Sequence, residues 1–413
     1  MVLASRLAPA QEALQSSLAG DAAAEARNLQ QQSGAYTIKS GDFRLLLTPG
    51  MAFDWNDNIN LSHDAPLSDF IIFPSLGLNI SYPVSQQNLL QLNVTFGYQD
   101  YLEHNQYSTW YVQSGSVLSF DIYVKDFKID LHDRFSYVQN SSQQAAVANT
   151  GMYGALQNTA GVTTTWDLED VTLSLGLDYL KNFSTSSQFN QTDYSSLLGV
   201  LRGGFKFRPT LTAGLEATVA RTAYDQTSFS GSLNQPSLNN NINYSAGVFA
   251  DWRPGTALRV QPRLGYTYYV FDQTSSVIPA SNQGAWYLDL TVAHQLTKSI
   301  SYSLSAGREL TLGIYGDNIE DWYARTSIGW NVIKDLQLTT SLSYQNGSQG
   351  IVNTTGALAE NFNWCTGSVG LSRKFTKQLT LALNYVLTLR ASNYQAREYS
   401  QNLVGLQLAY SLQ

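Results

Sequence analysis

The chain has 413 residues, a formal net charge of −7, 43% hydrophobic and 12% aromatic residues, and only 13% charged ones. A soluble domain carries roughly a quarter of its residues as charges, and no run of about 18 apolar residues is present to cross a bilayer as a helix. The mild acidity leaves no basic footprint for nucleic acid, and the single cysteine, Cys365, excludes an intrachain disulfide.

Residues 1–34 differ in kind from the rest. Gln11-Glu12-Ala13-Leu14-Gln15, Ala22-Ala23-Ala24-Glu25-Ala26 and Gln30-Gln31-Gln32 favour helix but are weakly amphipathic. They predict a periplasmic tail, helical in part or disordered. Met1–Leu7 is too short for the apolar region of a signal peptide, and Ala8-Pro9-Ala10 has the A-x-A form of a cleavage site.

Residues 35–413 form the second unit. From about residue 43 onward, segments of alternating polarity follow one another: 43–60, 69–83, 89–101, 108–124, 127–139, 156–168, 171–183, 195–207, 210–224, 242–253, 256–271, 285–296, 299–313, 321–333, 336–344, 361–375, 378–390 and 398–412. Leu90, Leu92, Val94, Phe96 and Tyr98 alternate with polar or small residues. So do Val171, Leu173, Leu175, Leu177 and Tyr179, and the chain closes on Val404, Leu406, Leu408, Tyr410 and Leu412 in the same way. Period two places one face in an apolar medium and the other in a polar one, whereas a helix needs apolar residues at i, i+3, i+4 and i+7. Thr163-Thr164-Thr165 and Cys365-Thr366-Gly367-Ser368 blur the alternation in two segments.

The connectors alternate as well. Short ones (Ser85–Asn88, Lys125–Asp126, Glu169–Asp170, Arg208–Pro209, Pro254–Gly255, Thr297–Lys298, Lys334–Asp335, Thr376–Lys377) separate long ones near 61–68, 102–107, 140–155, 184–194, 225–241, 272–284, 314–320, 345–360 and 391–397. Tight turns on one side and longer loops on the other are the grammar of an all-β, transmembrane, antiparallel up-and-down β-barrel, here of 16–18 strands, with periplasmic turns and extracellular loops. A soluble sandwich or propeller with the same alternation would have to bury its apolar faces internally, and a propeller would show a repeat of about 40 residues, which is absent.

Trp55, Tyr82, Tyr98, Trp110, Tyr137, Trp166, Tyr179, Trp252, Trp286, Trp322, Trp330 and Tyr385 fall mostly near predicted strand ends, as interfacial girdles require. Tyr266 and Tyr268 share a face with Leu264 and Val270 and are expected to face lipid. The opposite parity predicts the pore lining: Arg44, Lys128, Asp130, Arg134, Arg202, Lys206, Glu216, Arg259, Arg263 and Arg325, with Asp54, His132, Asp289 and Arg390 on the same face. Such charges form either a solvated wall of cross-strand pairs or a constriction that filters by charge. The loops at 140–155 and 225–241 are the candidates to fold inward.

No nucleophile elbow, phosphate loop or metal-spaced His/Cys set is present, so neither catalysis nor a cofactor is expected. His63-Asp64, near Asp69, reads as a hydrated loop rather than a metal site.

The run Leu47-Thr48-Pro49-Gly50-Met51-Ala52-Phe53-Asp54-Trp55-Asn56-Asp57-Asn58-Ile59, followed by Phe73-Pro74-Ser75-Leu76-Gly77-Leu78 and Leu90–Tyr101, resembles the opening of the β-barrel porin-2 family of Gram-negative outer-membrane proteins. The likeness covers roughly residues 43–140, and its motifs are structural, so no binding residue carries over. It implies an outer-membrane location, with outer-membrane lipid, lipopolysaccharide and the assembly machinery as partners. The C-terminal Leu408, Tyr410 and Leu412 resemble the assembly signal, although the chain ends on Gln413. The expected function is a porin passing small hydrophilic solutes. The alternatives are a barrel associated with exopolysaccharide export through a periplasmic partner, and a closed structural or surface-interaction barrel. Homo-oligomerisation is left open.

Overall fold

The computed structural model describes residues 36–139, 141–225, 240–272, 282–312, 318–353 and 356–412. A three-residue strand, β1 (Ile38–Ser40), precedes eighteen long ones. These are β2 (Phe43–Asn56), β3 (Asp69–Pro83), β4 (Leu89–Tyr101), β5 (Thr109–Val124), β6 (Phe127–Gln139), β7 (Gly154–Leu168), β8 (Val171–Ser184), β9 (Tyr194–Arg208) and β10 (Leu211–Tyr224). They continue as β11 (Asn241–Trp252), β12 (Leu258–Phe271), β13 (Gln283–Gln295), β14 (Ile300–Leu312), β15 (Asn318–Ile333), β16 (Leu336–Asn353), β17 (Gly356–Lys374), β18 (Leu379–Ser392) and β19 (Tyr399–Tyr410). Each long strand pairs antiparallel with its chain neighbours, and β19 returns to β2, so one sheet closes on itself. The protein is a transmembrane, antiparallel, up-and-down barrel of eighteen strands with one extra strand, not a sandwich or propeller.

Closure follows from the medium. In lipid an open edge would leave a row of backbone N–H and C=O groups without partners. The seam runs from Leu403↔Asn56 to Ala409↔Gly50 and is extended above by side chains. Asp57 accepts from the backbone N–H and the side-chain amide of Asn402, both at 2.7 Å. Asn58 donates to the Ser400 carbonyl at 2.9 Å, and Gln401 donates to the Asn58 carbonyl at 2.7 Å. At the other end β1 lies against β2 (Ile38↔Leu45), past the end of β19, and Thr37 Oγ1 donates to the Leu412 carbonyl.

The outer face is the apolar one. Phe53, Phe70, Leu175, Leu177, Leu201, Leu215, Leu264, Tyr266, Tyr268, Leu383 and Leu406 are all exposed. An apolar band of this extent exceeds what a soluble monomer leaves in water, and it is the lipid-facing belt of the barrel. Its rims are aromatic. Trp166 stacks on Phe127 at 5.0 Å at the short-turn end, while Trp110 meets Tyr98 at 5.2 Å and Trp286 meets Trp322 at 5.5 Å at the long-loop end. Trp110 is 65% exposed. Lys125 and Glu169 take left-handed backbone conformations to make the two-residue turns at 125–126 and 169–170.

Two expectations are corrected. The segment 345–360 is not a loop: β16 and β17 run on as a hairpin, with register kept from Gln345↔Trp364 to Asn353↔Gly356. Above the lipid the outer face meets water and the inner face meets the strap through polar contacts, so Gln345-Asn346-Gly347-Ser348-Gln349-Gly350 lost the apolar alternation but kept backbone pairing. For the same reason β15 starts at Asn318, inside the expected loop 314–320. The segments with blurred alternation are both strands, β7 and β17. The tail expected at residues 1–34, and residues 226–239 of the loop expected to fold inward at 225–241, lie outside the described residues.

Candidate functional site

The connection from β6 to β7 folds into the barrel. Its apolar run Ala145-Ala146-Val147-Ala148 is buried in a cluster with Leu61, Phe189, Ile319, Phe362, Trp364 and Tyr399, with Tyr153 packed beside it. These partners come from the loop after β2, the loop after β8, and strands β15, β17 and β19. The segment therefore reaches from its own side of the ring to strands far around it. Leu61 holds a left-handed conformation that a branched aliphatic residue adopts only under constraint. It is fully buried, and its carbonyl accepts from Asn149 N at 3.0 Å. Asn149 is left-handed too, at much lower cost for that residue, and its amide reaches the Ala396 carbonyl at 2.6 Å. Gly151 passes so close to the Ile59 carbonyl that any side chain there would collide.

Polar contacts fasten this strap to the far wall. Arg390 Nε donates to the Ala145 carbonyl at 2.8 Å, and Arg397 Nη2 donates to the Ala146 carbonyl at 2.6 Å. Both guanidinium groups converge on Glu360, whose carboxylate is fully buried: Arg390 Nη2 lies 2.8 Å from Oε1, and Arg397 Nε donates to Oε2 at 2.8 Å. Ser392 and Gln349 supply two more donors at 2.7 Å each. A carboxylate this buried is tolerable only with such a full set of partners. Of this group the sequence reading had placed only Arg390 on the inner face. Glu360 and Arg397 sit in stretches read as loops.

Most of the ten residues expected to line the pore have charged partners. Arg263 donates to Glu216 from Nε (3.0 Å) and Nη2 (2.8 Å), and Tyr287 adds its hydroxyl at 3.0 Å. Arg202 stands 3.9 Å from Glu216 and stacks over Phe249 at 3.7 Å, so three of the predicted residues form one group on β9, β10 and β12. Lys128 pairs with Asp121 at 3.3 Å, Lys206 with Asp167 at 2.6 Å, and Arg259 with Asp251 at 2.9 Å. Asp130 approaches His132 Nδ1 at 2.7 Å, while Asp178 approaches the other ring nitrogen at 2.9 Å. Gly161 lies beside the Asp178 carboxylate, where a Cβ would collide. Arg134 neighbours this group on β6, Arg325 lies over the Tyr323 ring at 4.7 Å, and Arg44 stands apart on β2. Asp178 and Tyr287 were missed, although the alternation of their strands already put them on the polar side. At the long-loop end Asp69 engages His104 at 3.0 Å rather than His63. A cavity of about 680 Å³ opens at the short-turn end, lined among others by Asn331, Lys334, Gln337, Lys374 and Gln407.

No family model and no curated protein matches the chain. Solved structures do match it. The chain is similar to Pseudomonas aeruginosa OccK2 (OpdF) in complex with glucuronate, with a TM-score of 0.50 and 10% identity over 90% of this chain and 99% of that one. It is similar to OpdQ of the same organism (TM-score 0.49, 11% identity, 91% and 100% covered) and to its outer membrane protein OpdK (0.47, 11%, 89% and 98%). At such identities the likeness concerns the fold alone, a large closed antiparallel barrel.

Proposed function

We propose that the protein is an outer-membrane channel for passive diffusion of small hydrophilic solutes, and that it belongs to the porin-2 family its opening segments resemble. The observation that carries this reading is the strap fastened inside a barrel whose inner wall carries charged groups on strands from β6 to β18. A barrel of about eighteen strands is wide enough for water, and an inward loop narrows it to a size and charge filter. The ten residues named as lining, from Arg44 to Arg325, bound the route, and residues 1–34 form a tail on the periplasmic side. The outer belt meets lipid and lipopolysaccharide after insertion by the assembly machinery.

The test is single-channel recording of the folded full-length protein in a planar bilayer. Stable ohmic steps, and a reversal potential in a salt gradient, are expected. Glucuronate, the ligand of the OccK2 structure, is a convenient solute to add as a blocker. Silence from protein shown to be folded by its gel mobility would overturn the channel reading and favour a closed barrel.

A further inference from the structure

On the inner wall, towards the long-loop end, Glu309 of β14 and Asp321 of β15 stand directly opposite one another in register. Like charges in that position repel. Both are buried, at 3% and 0% exposure. Asp321 Oδ2 accepts from the Gln345 amide. Asp321 Oδ1 and both carboxylate oxygens of Glu309 have no donor. Everywhere else on this wall the buried carboxylates described above, Glu216, Glu360, Asp130 and Asp178, meet an arginine or a histidine.

The other charges acting on Glu309 are Arg325 and Asp289. Arg325 lies over the Tyr323 ring, and Asp289 accepts the Tyr323 hydroxyl. Three carboxylates against one guanidinium leave this desolvated place short of positive charge, a state that proteins resolve with a proton, a partner or a metal ion.

We propose that Glu309 and Asp321 hold a divalent cation of the calcium class. Hard oxygen donors suit it, Gln345 Oε1 offers a neutral third donor once that amide turns over, and water or backbone carbonyls complete the roughly six to eight oxygens that such an ion takes. Magnesium fits less well, because it keeps most of its own water. The position gives the ion a task. Pairing of β13 with β14 ends at Leu288↔Arg308, whereas β14 stays paired with β15 up to Leu312↔Asn318. Glu309 is the first residue past the point where β14 loses one neighbour. An ion bridging it to Asp321 reinforces the one pairing that β14 keeps at that point, the pairing with β15.

The test uses full-length barrel refolded in detergent without lipopolysaccharide, which itself binds divalent ions. When calcium chloride replaces EDTA, the unfolding temperature read from heat-modifiable gel mobility rises by about 2 °C or more. The double variant Glu309→Gln/Asp321→Asn, which keeps the shapes and removes both charges, loses that response and is no less stable than the wild type in EDTA. Should the variant not fold, terbium luminescence on the wild type gives a second reading, with one saturable site per barrel displaced by calcium. No calcium shift together with no saturable terbium binding overturns the proposal. So does a wild-type barrel that responds to acidification but not to calcium, since the pair would then share a proton.

Discussion

Glu360→Gln isolates the fastening of the strap. The substitution keeps the size of the side chain and removes the charge on which Arg390 and Arg397 converge. Breaking a buried ion pair from one side costs about 3–5 kcal/mol, because the partner charges stay desolvated. Here two guanidinium groups are stranded, and they are the groups that hold the Ala145 and Ala146 carbonyls. The cheapest relief is for the arginines to swing into the lumen and release the strap. If the whole cost falls on that equilibrium, the ratio of fastened to released strap drops by roughly two to three and a half orders of magnitude, at about 1.4 kcal/mol for each tenfold change. Single-channel recording should then show larger unitary steps with flicker, and a reversal potential shifted towards anions by the freed guanidinium groups. Glu360→Asp, which keeps the charge, should lie between the two. A folded Glu360→Gln barrel with wild-type conductance and wild-type selectivity would refute the view that this carboxylate fastens the constriction.

Three further outcomes follow from the geometry. Val147→Asp places a carboxylate in the apolar pocket of the strap, where the native side chain is 2% exposed. The strap should leave for water, raising conductance with little change in the unfolding temperature of the barrel. Leu177→Arg puts a cation on the lipid face near mid-strand and should cost about 2–4 kcal/mol in a reversible unfolding titration. Ser174→Arg, on the inner face of the same strand, should leave stability close to wild type and move only the reversal potential. Asp57→Ala removes both acceptors of the Asn402 bonds at the seam, and a loss of about 2 kcal/mol should lower the temperature at which the barrel opens on a gel.

The strand positions were readable because lipid enforces period two. Wherever Leu173, Leu175 and Leu177 must face hydrocarbon, their neighbours must face water, and no other arrangement satisfies the backbone. The same cause explains where the reading failed. Beyond the lipid rim the β16–β17 extension is wetted on its outer face and meets the strap through polar groups on its inner face, so its polar sequence resembled a loop, and Glu360 was lost with it. Arg397 sits in a true turn between β18 and β19, where no periodicity places it on either face. The inward reach of 141–153 was foreseeable from loop length, but its seat was not. That seat joins Leu61, Phe189, Phe362 and Tyr399, from four separated parts of the chain. Aromatic type alone also misleads. Trp364 is buried inside rather than placed in a girdle, and only its parity against Cys365 and Asn363 distinguishes it from Trp330.

Counting arginines on the inner face suggests a positive channel, and the contacts reverse that expectation. Arg263, Arg259, Arg390, Lys128 and Lys206 each lie within 3.3 Å of a carboxylate, and Glu216 also faces Arg202. A paired charge contributes mainly a dipole, which weakens over a few ångströms, whereas an uncompensated charge acts over the full width of a water-filled lumen. The long-range field therefore comes from the groups without a counter-charge. With the strap fastened, one such group is the set of carboxylates around Glu309 and Asp321, which outnumbers the one guanidinium beside it and, when ionised, draws cations in EDTA. Calcium bound at that pair would weaken the preference, and release of Arg390 and Arg397 by Glu360→Gln would oppose it from two to three strands further along the same wall. The two perturbations act at separate places on β14–β15 and β17–β18, so their effects on reversal potential should add.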